Sequence, residues 1–346
     1  MTLWLTRDDL GAAAHAATGL LLVSPDVSSA VPLAPQDHGL TAQALREAGV
    51  GERDRVVVAL AEPAGALWTA AAAGVAGAAA DVGPRGRLRL HHALTALKAT
   101  TLVITPTGAM DFLARLHLEF LLDPLDLGLR NIVLTGEIAA KRTMSHLAGE
   151  FESRVTEVFA NPYTGGGLAW RAADEDPLTP LADGVLGVAS LTKDDAPDPA
   201  TGLAELIVTP PPGDAALRTG LVARLGSPHG VPAPAHTVGD HVLVRGVWLA
   251  LPRIEKALSK IDGVAGWDLA ISRQGTLDAA VLTVTFSRMS LVQNPMWKSR
   301  IRQAVQALTP ISINVEIAQD VSETPAPGTV TDLRGHHLGR DRALIT

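Results

Sequence analysis

The stretch LLDPLDLGLRNIVLTGE, residues 121–137, decides the fold class of this chain of 346 residues. Its second half, RNIVLTG, is a short apolar run with β-branched residues, which is typical of a buried strand. Asp-Pro and Gly in its first half mark a turn before that strand. Helical patterns lie on both sides of the stretch, so the strand belongs to an alternating series of strands and helices.

The alternating series extends through the N-terminal half of the chain. Strands are predicted at RVVVALA (55–61), TTLVIT (100–105), RNIVLTG (130–136) and SRVTEVFA (153–160). Helices are predicted near residues 40–49, 65–79, 91–98, 108–121 and 139–151. Strands that alternate with helices imply crossover connections and a mainly parallel sheet. The N-terminal half is therefore predicted to be α/β.

The sequence pattern changes after Trp170, where proline-rich turns separate the short apolar runs VLGVASL and AELIVTP. These runs predict a small antiparallel β layer. GSPHGVPAPAH, residues 226–236, is the best linker candidate. Beyond it, about 100 residues alternate strands (HVLVRGVWLA first) and helices in an α+β pattern. The length also favours two domains, and we expect them at 1–235 and 236–346.

Composition excludes several functions. The chain has no cysteine, which rules out disulfides, thiolate catalysis and Cys-ligated zinc. Its net charge of −7 comes from dispersed acids without a basic stripe, so a nucleic-acid partner is not expected. The start MTLWLTRDDL lacks the pattern of a signal peptide. Residues 63–80 carry no charge, but their Ala and Gly content predicts a buried helix rather than a membrane span. We expect a cytoplasmic protein without a membrane partner.

Four segments, in order, resemble motifs of one enzyme family. TPTGAMDFLARL (105–116) is similar to its TPS-Y-A segment, and LLDPLDLGLRNIVLTGE to its G-DP-D-LR-GGE segment. TGLAELIVTP (201–210) is similar to its GELV-T strand, and DHVLVRGVWLALPRIEKAL (240–258) to the entry of its C-terminal domain. The chain thus resembles the phenylacetate-CoA ligase branch of the adenylate-forming superfamily over residues 40–334, with a shortened N-terminus. The resemblance implies a large α/β domain followed by a small α+β domain.

The resemblance also implies a reaction. The family uses ATP and Mg²⁺ to convert a carboxylic acid, often an aryl acid, into an acyl adenylate, and then transfers the acyl group to coenzyme A. Backbone amides and a lysine of a glycine-rich loop hold the phosphates. One carboxylate binds Mg²⁺, an aspartate binds the ribose, and a C-terminal lysine neutralises charge at the α-phosphate. Each of these parts can be compared with the sequence.

Several of the parts are missing. In place of the phosphate loop S-SGTTG-K-P, SPDVSSAVPLAP keeps Ser28 and Ser29 but has no glycine or lysine after them. The RTGD motif reads Arg218, Thr219, Gly220, Leu221, so leucine stands where the family binds ribose. In the C-terminal segment similar to GKA-RV-D-R, Thr329 stands at the position of the catalytic lysine. These losses predict weak or absent ATP-dependent ligation.

Pocket residues are assigned through the resemblance. Gly136 and Glu137 match the family's GGE turn beside adenine. NPYTGGGLAW (161–170) falls at its Y-G-T-E segment, in one of two registers. One register starts at Tyr163 and puts Gly167 at the metal-binding acid; the other matches 159–162 to a YGNT variant. The pocket candidates are Gly136, Glu137, Asn161, Tyr163, Thr164, Gly165, Gly166, Arg218 and Thr219.

Two readings of TGGG remain open: a loop that closes over a ligand, or a turn in which glycine relieves backbone strain. The predicted hinge to the C-terminal domain contains Gly239, Asp240 and Arg245, with Asp240 at the family's second hinge acid. The histidines 229, 236 and 241 have only loose metal-ligand spacing, and no metal site is predicted.

Two hypotheses about function follow. In the first, the chain is a pseudoenzyme that binds an aryl or acyl ligand, a nucleotide or a partner protein, and has no certain cofactor. In the second, it is an active or diverged acid–CoA ligase or acyltransferase, for which ATP/AMP, Mg²⁺ and CoA are the expected cofactors. Either form would take a small carboxylic or aryl acid, or an acyl-CoA. The small residues of the helix near 65–79 suit close packing within the domain or a homodimer seam.

Overall fold

A computed structural model describes residues 3–7, 9–10, 18–23, 30–32, 35–195, 202–209, 215–226, 230–308 and 311–345. These residues form two compact units, and the main division falls between residues 235 and 236. The strands of the first unit are β1 Leu3–Leu5, β2 Leu21–Val23, β3 Ala30–Pro32, β4 Arg55–Ala59, β5 Ala78–Asp81, β6 Thr101–Ile104, β7 Asn131–Thr135, β8 Arg154–Ala160, β9 Gly167–Arg171, β10 Thr179–Pro180, β11 Leu186–Ala189, β12 Leu203–Val208 and β13 Ala215–Arg224. Its helices are α1 Pro35–Glu47, α2 Ala64–Ala73, α3 Arg87–Leu97, α4 Pro106–Arg115 and α5 Thr143–Phe151.

The main sheet of the first unit has the strand order β10-β9-β8-β7-β6-β4-β5. Strands β4 to β8 are parallel, and β9 and β10 add an antiparallel edge. All five residues of β7 are buried because helices cover both faces of the sheet. Ile132 and Leu134 pack with α3, α4 and α5, whereas Val133 packs with α1 and α2. This arrangement confirms the predicted α/β class and mainly parallel sheet.

One predicted element of the first unit was wrong in its extent. The Ala-rich segment was predicted to be a helix to residue 79, but α2 ends at Ala73 and Ala78–Asp81 is a strand at the sheet edge. A Cβ on Gly77 would lie 2.5 Å from the carbonyl oxygen of Glu52, so the chain needs glycine where it enters the strand. Alanine favours helices, which hid the strand. No described helix is long and apolar enough to cross a bilayer.

A second, smaller sheet in the first unit has the order β1-β13-β12-β11. Strands β11, β12 and β13 are antiparallel, as predicted for the proline-rich region. The N-terminal strand β1 joins β13 in parallel, with Trp4 opposite Ala216. This pairing connects the start of the sequence to the segment that contains Arg218.

The second unit contains β14 His236–Thr237, β15 His241–Val244, β16 Val247–Ala250, α6 Leu251–Leu258, β17 Val264–Gln274, β18 Leu277–Phe286, α7 Met289–Val292, α8 Pro295–Gln306, β19 Ile313–Val321 and β20 Thr329–Asp332. Its four-stranded sheet has the order β19-β18-β17-β20. HVLVRGVWLA was predicted to be one strand, but it is a hairpin because Arg245 and Gly246 turn the chain with φ of 50° and 73°. The unit has the predicted α+β character.

Candidate functional site

The candidate site lies at the carboxyl edge of the parallel sheet in the first unit. Strands β6, β7 and β8 are neighbours, so the residues after each of them meet at one edge. These residues are Thr105 after β6, Gly136 and Glu137 after β7, and Asn161 after β8. Ligands of open α/β sheets bind outside this edge. The structure therefore brings together the predicted residues of the GGE and NPYTGGG segments.

Glu137 is bound to the N-terminus of α4. Its carboxylate accepts hydrogen bonds from the backbone N–H and from the hydroxyl of Thr107, both at 2.9 Å. Thr105 caps the same helix by accepting from the N–H of Gly108 at 3.2 Å. A carboxylate at a helix N-terminus is stabilised by the free N–H groups there. Sequence reasoning missed Thr107, although Thr-Pro-Thr is an N-cap pattern with proline at the first helical position.

The loop after β8 is closed by its own hydrogen bonds. The N–H of Asn161 donates to the carbonyl of Gly166, and the N–H of Gly165 donates to the carbonyl of Asn161, both at 2.7 Å. The side-chain oxygen of Asn161 accepts from the N–H of Tyr163 at 3.0 Å. Thr164 is 3% exposed, and its hydroxyl donates to Asp37 on α1. The loop is therefore a buried turn whose polar groups bind protein.

The glycines of the loop pack against helices α1 and α2. A Cβ on Gly165, where φ is +76°, would lie 2.8 Å from Cβ of Ala64. A Cβ on Gly166 would lie 3.2 Å from the hydroxyl of Thr41 and 3.3 Å from Leu67. The carbonyl of Gly165 accepts from the indole N–H of Trp68 at 2.8 Å. These contacts support the turn reading of TGGG over the loop that closes on a ligand.

Tyr163 is 5% exposed and is covered by residues that are distant in the sequence. Its hydroxyl donates to the backbone carbonyl of Arg218. The guanidinium of Arg7 lies 4.8 Å from the centroid of its ring. Arg7 Nη2 also donates to the carbonyl of Pro162 at 3.1 Å. No local sequence signal pointed to Arg7, because it reaches the loop only through the pairing of β1 with β13.

Arg218 is a buried ion-pair centre. Its guanidinium contacts Glu205 at 2.6 Å and Asp194 at 2.9 Å. Arg218 is 7% exposed and Glu205 is fully buried. Burial alone would lower the pKa of Arg218, but Glu205 and Asp194 outweigh it and raise that pKa. Arg218 on β13 is thus paired with Glu205 on the neighbouring strand β12, and removal of one partner of such a buried pair is strongly destabilising.

Thr219 and Leu221 complete this segment of β13. The hydroxyl of Thr219 donates to the carbonyl of Leu206 at 2.7 Å and accepts from the N–H of Leu221 at 3.0 Å. Leu221 is 5% exposed. The N–H of the intervening Gly220 donates to Glu205 at 2.8 Å. The polar groups around Leu221 thus bind one another.

The predicted hinge residues belong to the second unit. Asp240 accepts from Nε of Arg340 at 2.5 Å. Gly239, with φ of 93°, donates its N–H to the carbonyl of Gly339 at 2.9 Å. Arg245 donates from Nε to the carbonyl of Asp278 at 2.6 Å. Each of the three is anchored within this unit.

Thr329 lies at the start of β20, beside β17. Its hydroxyl donates to Asp268 at 2.6 Å, and the hydroxyl of Thr331 donates to the same oxygen at 3.1 Å. The preceding Gly328 lies under the indole of Trp267, because a Cβ there would fall 1.9 Å from the ring. Thr329, which the sequence resemblance aligns with the catalytic lysine, thus presents a hydroxyl bound to a carboxylate.

The described residues contain no group of three or more His, Asp or Glu side chains that could hold a metal ion. His236 directs Nδ1 to the carbonyl of Gly335 at 3.0 Å, and His241 is buried. His229, Ser28 and Ser29 lie outside the described residues.

Comparison with solved structures identifies the fold. The chain is similar to 2-hydroxyisobutyryl-CoA ligase in complex with 2-HIB-AMP and CoA, with a TM-score of 0.77 and 18% identity over 98% of this chain and 81% of the ligase. It is also similar to malonyl-CoA ligase with methylmalonyl-CoA and AMP bound, with a TM-score of 0.64 and 17% identity over 88% of this chain and 71% of that ligase.

A third similar structure is the amide bond synthetase McbA from Marinactinospora thermotolerans, with a TM-score of 0.66 and 16% identity over 88% of this chain and 66% of McbA. No family profile and no curated protein matches the sequence. The chain therefore has the fold of the adenylate-forming acyl-CoA ligases and amide synthetases, which confirms the fold that the sequence resemblance predicted.

Proposed function

We propose that this chain is a binding protein built on the adenylate-forming fold, with weak or no ATP-dependent ligase activity. We further propose that it derives from the phenylacetate-CoA ligase branch, with a domain similar to the nucleotide-binding domain at 1–235 and a C-terminal domain at 236–346. Its ligand class is a small aryl or carboxylic acid, or the corresponding acyl group. The single observation that carries the proposal is Leu221, a buried apolar side chain where the family's ribose carboxylate would stand.

The metal-binding position supports the same conclusion. In the register that starts at Tyr163, Gly167 replaces the acid, and a Cβ there would lie 3.1 Å from Ala44 and 3.2 Å from Val158. A glutamate at this position would have to enter the packing between α1 and β8. In the other register, the segment 159–162 also supplies no carboxylate. The residues present do not fit Mg²⁺ bound to ATP.

The remaining positions for ATP do not fit either. Thr329 has no positive charge, and Asp268 holds its hydroxyl. The sequence SPDVSS, between β2 and β3, contains an aspartate and neither lysine nor glycine. Loss of one preorganised electrostatic contact costs about 10²- to 10³-fold in rate. These losses are not additive when residues act together, but several in one active site leave little means of adenylation.

The carboxyl edge of the sheet supports a retained ligand site. Gly136 is exposed there with φ of 83°, and only Thr105 lies within 4 Å of the space a Cβ would fill. The free space beside Gly136 admits a flat group to the backbone. An aryl or acyl group, which needs neither phosphate contacts nor a metal ion, suits this edge.

The experiment is a calorimetric titration of the protein with benzoate, phenylacetate, acetyl-CoA, CoA and ATP–Mg²⁺. We expect binding of an aryl acid or of an acyl-CoA and no heat from ATP. Gly136→Val, which fills the free space at the edge, should weaken aryl-acid binding, whereas the matched variant Gly128→Val, at another glycine with positive φ and no atom within 4 Å of its Cβ position, should not. Tight ATP binding together with thioester formation would favour the active ligase instead.

A further inference from the structure

The N-terminal segment of this chain covers the wall of its own candidate site. Arg7 is 7% exposed, and its guanidinium lies over the ring of Tyr163 at 4.8 Å from the centroid. The same guanidinium donates to the carbonyl of Pro162 at 3.1 Å. Arg7 therefore contacts both the face of the aromatic ring and the backbone next to it.

A second set of contacts anchors this segment. Strand β1 pairs with β13, and Trp4 on β1 stacks beneath the guanidinium of Arg218 at 5.2 Å from the ring centroid. The carbonyl of Arg218 accepts the hydroxyl of Tyr163. Two residues of the segment, Trp4 and Arg7, thus contact Arg218 and Tyr163, which are joined to each other by a hydrogen bond.

A guanidinium on an aromatic face and a planar ring stacked on that face compete for the same surface. With 5% of its surface exposed, Tyr163 offers no free face while Arg7 is in place. The covering strand has only three residues and lies at the edge of its sheet. Short edge elements open locally at low cost in free energy. The covering contact is therefore a part of the wall that can open at low cost.

We propose that Leu3–Arg7 closes a cryptic site for a planar aromatic ring on Tyr163, and that a ligand binds there when Arg7 is displaced. The proposal rests on the proposed function, because the sequence resemblance assigns Tyr163 to the pocket wall. A purine and an aryl acid share the required flat ring. Stacking on Tyr163 distinguishes a ligand of this site from one that binds elsewhere on the protein. Displacement of Leu3–Arg7 regulates access to the ring of Tyr163.

The test uses the fact that Tyr163 is the only tyrosine of the chain. Isotope-labelled tyrosine gives one NMR signal, which is followed during titration with adenosine and, separately, with benzoate. We expect Arg7→Ala to bind one of the two probes at least ten-fold more tightly than the unmodified protein, with a shift of the Tyr163 signal. Arg46→Ala, a control at an exposed arginine on α1, should behave like the unmodified protein.

Trp4→Ala releases the other anchor of the segment and should move the affinity in the same direction, so it replaces Arg7→Ala if that variant does not fold. The proposal is overturned if a folded variant binds both probes no better than the unmodified protein, or if the Tyr163 signal does not respond. Failure of the proposed function shows separately, as ATP-dependent ligation by the unmodified protein.

Discussion

Tyr163, Arg218 and Glu205 show how single residues acquire their roles in this protein. The sequence pattern identified Arg218 through its RTG motif and Tyr163 through the NPYTGGG segment. It did not predict that the two are joined by a hydrogen bond, or that Glu205 neutralises Arg218. Both contacts depend on the pairing of strands that are separated in the sequence. Residue types at a site are readable from a motif, but their partners follow from the topology.

Gly165 tests whether the TGGG loop is held by packing. Gly165→Ala should lower the free energy of unfolding by about 2–4 kcal/mol, because it adds a left-handed alanine and a contact with Ala64. Urea denaturation measures the change. Gly149→Ala, at an exposed helical glycine with no atom near its Cβ, should leave stability unchanged or raise it by up to about 1 kcal/mol. An equally small effect at Gly165 would contradict the packed turn.

The buried pair of Arg218 and Glu205 gives a second prediction. Glu205→Gln should lower the free energy of unfolding by about 3–5 kcal/mol, because it leaves a buried guanidinium without its closest carboxylate. Glu119→Gln removes the exposed partner of Arg115 and should cost under about 1 kcal/mol. Chemical denaturation of both variants provides the comparison. Similar losses in the free energy of unfolding for the two variants would mean that burial of the ion pair does not increase its contribution to stability.

At the scale of elements, the pattern of apolar runs predicted most strands and helices of both units. It failed where two physical effects compete. The alanine content of residues 65–79 led to a helix prediction that extended into β5. A turn with positive φ at Arg245 divides an apolar run that was predicted to be one strand. Strand β20 was not predicted, because four residues at an edge have too little pattern to be recognised.

The segment after β20 makes the second unit sensitive to pH. Burial, the largest effect, lowers the pKa of His337 to about 4, and Arg334 and Arg340 add to it while Asp332 and Asp240 oppose it. Unfolded His337 takes up a proton near pH 6.5, but the folded form stays neutral until about pH 4. The stability from neutral His337 is therefore complete above pH 6.5 and is lost as the pH falls to about 4.

We expect the free energy of unfolding to fall by about 1–2 kcal/mol between pH 7 and pH 5 through this histidine. His337→Gln keeps a hydrogen-bonding side chain beside Thr237 but cannot titrate, so its stability should change less over the same range. Denaturation curves at the two pH values measure the difference. If the free energy of unfolding changes equally with pH in the two proteins, His337 is not the origin of the pH dependence.

At the scale of the whole molecule, the order of elements and four sequence segments predicted the fold, and structural similarity confirmed it. The order of strands in the sheet and the parallel addition of β1 to the small sheet could not be predicted. Hydrophobic periodicity shows that a strand is buried, but it does not show which strand lies beside it. Such pairings are decided by contacts between distant parts of the chain.

We propose that this chain, whose fold is shared with acyl-CoA ligases, has lost the residues that drive adenylation. The chain keeps the carboxyl edge of the sheet and the α+β second unit. Under this proposal, Leu221 stands in place of the ribose carboxylate, glycine or no acid in place of the metal-binding acid, and Thr329 in place of the catalytic lysine. The proposed binding role belongs to the edge that Gly136 and Glu137 form.

The most direct measurement is ATP–pyrophosphate exchange with Mg²⁺ and a panel of aryl and short-chain carboxylic acids, with a complete ligase of the same fold as the positive control. We predict no exchange above the rate without acid. Acid-dependent exchange at an ordinary enzymatic turnover of about 1 s⁻¹ or faster would contradict this proposal, because such a rate requires the contacts that the proposed replacements would remove.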